Sequence, residues 1–198
     1  MCAGKSTISK MLAEEFPGVF HISYDKLKWF IVDYSLEKYS GKGIVSRLLS
    51  ALVKQVAIEN LSIIVEGDLN LMRNHENYKK IALDNNMKFI EVNIEAPLEV
   101  VSKRFEERVR NSIEQNKKIS VTTEDGMKRR YDAYHEKKRE NLPTFDSSKM
   151  TAEEIASAIR DLINNSLLSF EHHPEFGSLK IAFQNKVVFY IQTGSPKP

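Results

Sequence analysis

The chain has 198 residues, 41% of them apolar and 28% charged, with a formal net charge of +2. That length fits a single domain over 1–198 with a full core, and so small a net charge excludes bulk attraction as a basis for nucleic-acid binding. No run of about 18 apolar residues occurs, so no membrane-spanning helix is expected. The one cysteine, Cys2, excludes an intrachain disulfide, and the start lacks a basic-then-apolar leader pattern; a cytoplasmic setting is expected.

The chain opens with Cys2-Ala3-Gly4-Lys5-Ser6-Thr7. This is the back half of G-x-x-x-x-G-K-[ST], the loop that cradles nucleotide phosphates. Ile8, Met11, Leu12 and Phe16 then have helical spacing, and Pro17-Gly18 ends that helix. Val19 to Ile22 is a short strand, and Asp25 to Tyr34 reads as helix. After Gly41 and Gly43, a long amphipathic helix runs from Ile44 to Asn60. Leu61 to Glu66 is a buried-type strand closed by Gly67; Arg73 to Asn86 reads as helix and Lys88 to Ile94 as strand.

Pro97 suits a first helical turn, and a charged helix runs from there to about Asn116. A polar break over 117–122 separates it from a second charged helix, Glu124 to Glu140, stopped by Pro143. Thr144-Phe145-Asp146 is a short strand. Thr151-x-x-Glu154 is a capping box opening a last helix with Ile155, Ala158, Ile159 and Leu162. Residues 164–178 read as a linker, and Leu179–Phe183 and Val187–Ile191 as two β-type runs.

Strands alternate with helices, which predicts an α/β fold: a parallel sheet of about five strands with helices on both faces. The strand that should feed the phosphate loop does not precede Gly4. The C-terminal segment, 187–193, supplies one, and Gly194-Ser195-Pro196 joined to Cys2-Ala3-Gly4-Lys5 restores the loop spacing. The expectation is a circular permutation within the loop, with 164–178 joining the original termini. The competing expectation is a truncated chain ending in a β-hairpin.

The chemistry follows from these placements. Gly194, Ser195, Ala3, Gly4, Lys5, Ser6 and Thr7 form the loop whose N–H groups meet phosphate oxygens. Lys5 would reach the outer phosphates and the Ser6 hydroxyl would hold Mg²⁺. Asp25, just after a strand, can take a proton from an attacking hydroxyl or simply cap a helix. Glu66 ends an apolar strand as an acidic support for Mg²⁺, with Asp68 as competitor. Arg104, Arg108 and Arg110 lie on one charged helix and Arg129 and Arg130 on the next. This helical lid, 103–142, would bring Arg104, Arg108 and Arg130 to the transferring phosphate. Trp29, Phe30 and Tyr34 read as an acceptor wall or as core, with core expected for at least two. His172 and His173 read as linker residues, and Asn185-Lys186 lacks the aspartate of a guanine-reading motif.

The split loop, Ser23-Tyr24-Asp25, Val65-Glu66-Gly67, the arginine-bearing lid and Phe145-Asp146-Ser147-Ser148 before the last capping box together resemble the small P-loop kinases. These are the adenylate, shikimate and gluconate kinase relatives, most closely the polynucleotide 5′-hydroxyl kinase and zeta-toxin-like subgroup. The resemblance implies Asp25 as general base, lid arginines on ATP phosphates, and the segment from Asp146 to Ser148 beside the adenine. The expected activity is ATP- and Mg²⁺-dependent phosphoryl transfer to a hydroxyl on a small molecule, a nucleoside or a nucleic-acid 5′ end. The alternative is a nucleotide-binding module with weak or no catalysis. A third, weaker reading is nucleic-acid binding through the basic lid.

Overall fold

The structure, a computed structural model, describes residues 2–34, 43–67, 74–136, 141–168 and 187–194. In chain order these residues form α1 (Lys5–Glu15), β1 (Phe20–Ser23), α2 (Tyr24–Lys28), α3 (Ile44–Ile58), β2 (Ile63–Glu66) and α4 (His75–Asp84). They continue with β3 (Lys88–Glu95), α5 (Leu98–Glu114), α6 (Glu124–His135), β4 (Thr144–Asp146), α7 (Ala152–Leu168) and β5 (Val187–Gly194).

The strands form one sheet in the order β1-β2-β5-β3-β4, and every neighbouring pair is parallel. The last strand in sequence therefore lies in the middle of the sheet. Register places Ser23 opposite Glu66, Glu66 opposite Ile191, and Glu95 opposite both Gly194 and Asp146. All five strands thus end on one rim, the edge where open parallel sheets bind ligands.

The pleat sends alternate side chains to opposite faces, and β2 shows the result. Ile64 joins a core with Ile8 and Leu12 of α1, Val101 and Phe105 of α5, and Ile155 and Ile159 of α7. Ile63 and Val65 face the other way, into a core with Leu49 and Val53 of α3 and Tyr78 and Ile81 of α4. Helices thus cover both faces. The α7 start is the capping box read from the sequence: Thr151 N–H donates to Glu154 Oε2 at 2.8 Å and Glu154 N–H to Thr151 Oγ1 at 3.2 Å. Among the described residues no helix is long and apolar enough to cross a membrane.

Several boundaries differ from expectation. The helix expected over Asp25 to Tyr34 stops at Lys28, and turns follow, with Asp33 at φ 54°. Ser23, not Asp25, caps it: the Ser23 hydroxyl accepts from Lys26 N–H at 3.4 Å. With the helix cut short, Trp29 and Phe30 are exposed rather than core. Of the linker expected over 164–178, the described part, 164–168, is helical, because α7 continues through Leu168. Residues 169–178, the β-type run Leu179–Phe183, Asp68, Ser195 and the end of the second lid helix (137–140) lie outside the described residues.

Candidate functional site

The sequence from Gly4 onward builds the centre of the site. Gly4 has φ 91°, a left-handed conformation that suits glycine, and its carbonyl accepts from Thr7 and Ile8 N–H at 3.1 Å each. The helix therefore starts sharply, with its first N–H groups directed outward toward any anion beyond Gly4. Cys2, Gly4, Lys5, Ser6 and Thr7 line a cavity of about 670 Å³. Ala3 does not line it; its side chain is buried in the core beneath.

Two strand ends bring charge to this cavity. Glu66, at the end of β2, is 4% exposed and lines the cavity. Its Oε1 accepts from the Ser6 hydroxyl at 3.1 Å and its Oε2 from the Ser9 hydroxyl at 2.8 Å. Asp25, two residues beyond β1, lines the same space and forms an ion pair with the Lys28 ammonium. Lys28 is buried; its Nζ also donates to Ser120 Oγ at 3.4 Å and sits 5.0 Å from the Tyr24 ring centroid. Burial pushes Asp25 upward, but Lys28, with Lys5 and Arg130 beyond it, outweighs that and holds its carboxyl at about 2.

The charged helices α5 and α6 contribute unequally. Arg104 and Arg108 both line the cavity. The Arg104 guanidinium forks onto Ser147, with Nη1 donating to Oγ at 2.9 Å and Nη2 to the carbonyl at 2.8 Å. Arg130 is not among the cavity-lining residues, yet its charge is felt at both Asp25 and Tyr34. Arg110 and Arg129 are exposed. Asp146, in the segment expected beside an adenine, folds back on its own turn: Oδ1 accepts from Ser148 N–H at 2.9 Å and Ser148 Oγ–H at 2.6 Å. Its neighbour Ser147, with Met150 and Thr151, lines the cavity in its place. Gly194 lies on β5 at the same rim as Glu95.

Sequence reasoning passed over Ser9, His21 and Lys28. The Asp25-x-x-Lys28 spacing, one helical turn, was the available signal for Lys28. Ser9 was signalled by being a polar residue beside Ile8 and Leu12 on the buried face of α1.

Among the described residues no cluster of three or more His, Cys, Asp or Glu could hold a metal ion alone. Ser6 and Glu66 offer one hydroxyl and one carboxylate. That sparse donor set fits Mg²⁺, which keeps waters and binds through one or two protein groups plus substrate phosphates.

No family model matches the chain, and no curated protein matches it. Among solved structures, the chain is similar to one from Chloroflexus aurantiacus j-10-fl described as a "putative kinase". The TM-score is 0.61 at 15% identity, covering 80% of this chain and 91% of the other. Likeness at that identity shows a shared α/β fold.

Proposed function

We propose that this chain is a P-loop kinase that transfers the γ-phosphoryl group of ATP to a hydroxyl acceptor. One observation carries the reading: a glycine-started helix with Lys5 and Ser6, the strand-end carboxylates Asp25 and Glu66, and the arginines Arg104 and Arg108 all line one cavity. These are the parts that phosphoryl transfer needs, namely a phosphate cradle, a cation support, a hydroxyl-orienting acid and charge neutralisation. The fold shared with a structure described as a "putative kinase" agrees with it.

In this reading Gly4 to Thr7 and the Lys5 ammonium bind the phosphates. Ser6 and Glu66 hold Mg²⁺, which when bound neutralises charge on the β- and γ-oxygens. Asp25, held at about 2, stays ionised at any working pH and accepts the acceptor's O–H. So weak a base removes the proton late, once the new P–O bond is forming, which suits a loose transition state. Arg104 would exchange Ser147 for phosphate oxygens, with Arg108 beside it and Arg130 acting from farther off. Asp146 shapes the adjacent turn, leaving the adenine to meet the Ser147–Thr151 segment.

We further propose that β5 is the strand feeding the phosphate loop, with Gly194 and Ser195 as its first half, a permuted arrangement joined through the segment after α7. The central, parallel position of β5 between β2 and β3 supports this. The parallel sheet with helices on both faces is then of the P-loop kinase type, and α5 and α6 are its lid.

ADP release measured across a panel of sugar, nucleoside and oligonucleotide 5′-hydroxyl acceptors tests the assignment. Turnover that survives both Asp25→Asn and Lys5→Ala would refute it. The low position of the Asp25 carboxyl favours one second reading, a nucleotide-binding module with little catalysis. Tight ATP·Mg²⁺ binding in calorimetry without ADP release from any acceptor would select it.

A further inference from the structure

Behind the cavity lies a line of polar groups that the proposed reaction does not itself use. Ser9 is fully buried on α1. Its Oγ lies 2.8 Å from Glu66 Oε2, 3.3 Å from the Ser6 carbonyl and 3.1 Å from His21 Nε2. His21 belongs to β1, the strand next to β2.

The donor inventory fixes the direction of this line. The Glu66 carboxylate and the Ser6 carbonyl both only accept, and the single Ser9 hydrogen goes to Glu66, the nearer at 2.8 Å against 3.3 Å. The Ser9 oxygen must then accept, which makes His21 Nε2–H the donor. Burial pushes the His21 imidazole down, against the pull of Glu66, which favours the neutral ring, and donation to Ser9 then places its proton on Nε2. The sequence of bonds is His21 Nε2–H to Ser9 Oγ, Ser9 Oγ–H to Glu66 Oε2, and Ser6 Oγ–H to Glu66 Oε1. With its hydrogen committed to Glu66, Ser6 presents only oxygen lone pairs to the cavity.

We infer that Ser9 and His21 are positioning residues for the cation site, fixing the Glu66 carboxylate so that Ser6 faces the cavity as an acceptor ready for Mg²⁺. The inference rests on the proposed phosphate-loop reading of Ser6 and Glu66. Loss of Ser9 frees one Glu66 oxygen inside a buried site, and the carboxylate can rotate away from Ser6. Partners that orient a metal ligand are commonly worth tenfold or more in metal affinity.

The test is calorimetric titration of ADP into the full chain over a series of Mg²⁺ concentrations. The wild type should bind ADP more tightly as Mg²⁺ rises. Ser9→Ala should need about tenfold more Mg²⁺ for the same gain, with ADP affinity in EDTA unchanged. His21→Leu should shift the Mg²⁺ requirement in the same direction. His21→Gln, whose amide N–H can replace Nε2–H, should restore it. Both His21 substitutions sit at a half-buried position, so they report even if Ser9→Ala folds poorly. Wild-type Mg²⁺ dependence in folded His21→Leu and Ser9→Ala would overturn the inference while leaving the phosphate loop intact. A wild type whose ADP affinity ignores Mg²⁺ would instead remove the underlying reading, and the inference with it.

Discussion

Asp25→Asn should destabilise the protein more than removing Asp25 and Lys28 together. The Lys28 side chain is only 4% exposed, whereas Asp25 keeps 43% of its side-chain surface. Two unit charges about 3 Å apart attract by about 1.4 kcal/mol in bulk water and about 5.5 at a surface-like dielectric. Independently, the Asp25 carboxyl lies at about 2 against an ordinary 3.8. At 1.36 kcal/mol per pH unit that bounds the carboxylate's gain near 2 kcal/mol, and solvent at its exposed side reduces it to about 1. The cost of Asp25→Asn is larger than this gain, because it also strands an ammonium with little access to water. We expect about 2–3 kcal/mol in urea unfolding at pH 7. Lys28→Met, which replaces a buried charge by an apolar chain of similar length, should lie within about 1 kcal/mol of wild type. The double variant should recover at least half of the Asp25→Asn loss. The pH dependence has a definite sign. A depressed carboxyl contributes stability above its unfolded value, so the wild-type advantage over Asp25→Asn is full above about pH 4. It fades as pH falls from 3.8 towards 2. An Asp25→Asn loss below about 0.5 kcal/mol, or a double variant no better than the single, would refute the burial argument.

Gly4→Ala should cost about 1–2 kcal/mol in thermal or urea unfolding, since φ 91° is strained for any residue with a Cβ. The nearest side-chain atom, Ile8 Cδ1 at 3.8 Å, leaves room, so backbone conformation and not crowding sets that cost. Arg104→Lys keeps the charge but loses the fork onto Ser147; a fall in kcat/KM of about tenfold or more is expected in the ADP-release assay. Thr151→Ala removes half of the capping box and should lower stability by about 1 kcal/mol in urea, with Ser at the same position restoring it. In the range pH 5–8, kcat/KM should show no acid limb from Asp25, because its carboxyl is already ionised throughout.

The elements whose residues speak locally were legible. The Thr151–Glu154 capping box, the apolar spacing of α3 and the run of β2 each announce themselves through one strand or one helix face. The strand-end carboxylates were legible for the same reason, since a run such as Ile63–Val65 ends where pairing ends. What remained hidden depends on partners far along the chain. Ser147, which the Arg104 guanidinium meets, lies 43 residues away, and no local pattern announces that contact. The return of Asp146 onto Ser148 appears only once the turn after β4 has closed. Ser9 signals its burial on α1 but not its partners, and His21 signals nothing, until β1, β2 and α1 are packed together. Trp29 and Phe30 sit at helical spacing, but Lys28 ends the helix before that spacing takes effect.

The position of β5 bears on how the molecule is made. Among the described strands, β1 pairs with β2 and β3 with β4, and β5 lies between these two pairs. During synthesis the two pairs are present long before the strand that joins them. Until 187–194 emerges, β2 and β3 each present an unpaired inner edge, the kind of surface that recruits foreign strands. Insertion of β5 pairs Glu66 with Ile191 and Glu95 with Gly194, contacts spanning half the chain or more. Pairings that distant close slowly. The nascent chain therefore passes through a stage in which the helices on each face can form while the sheet between them is still in two parts.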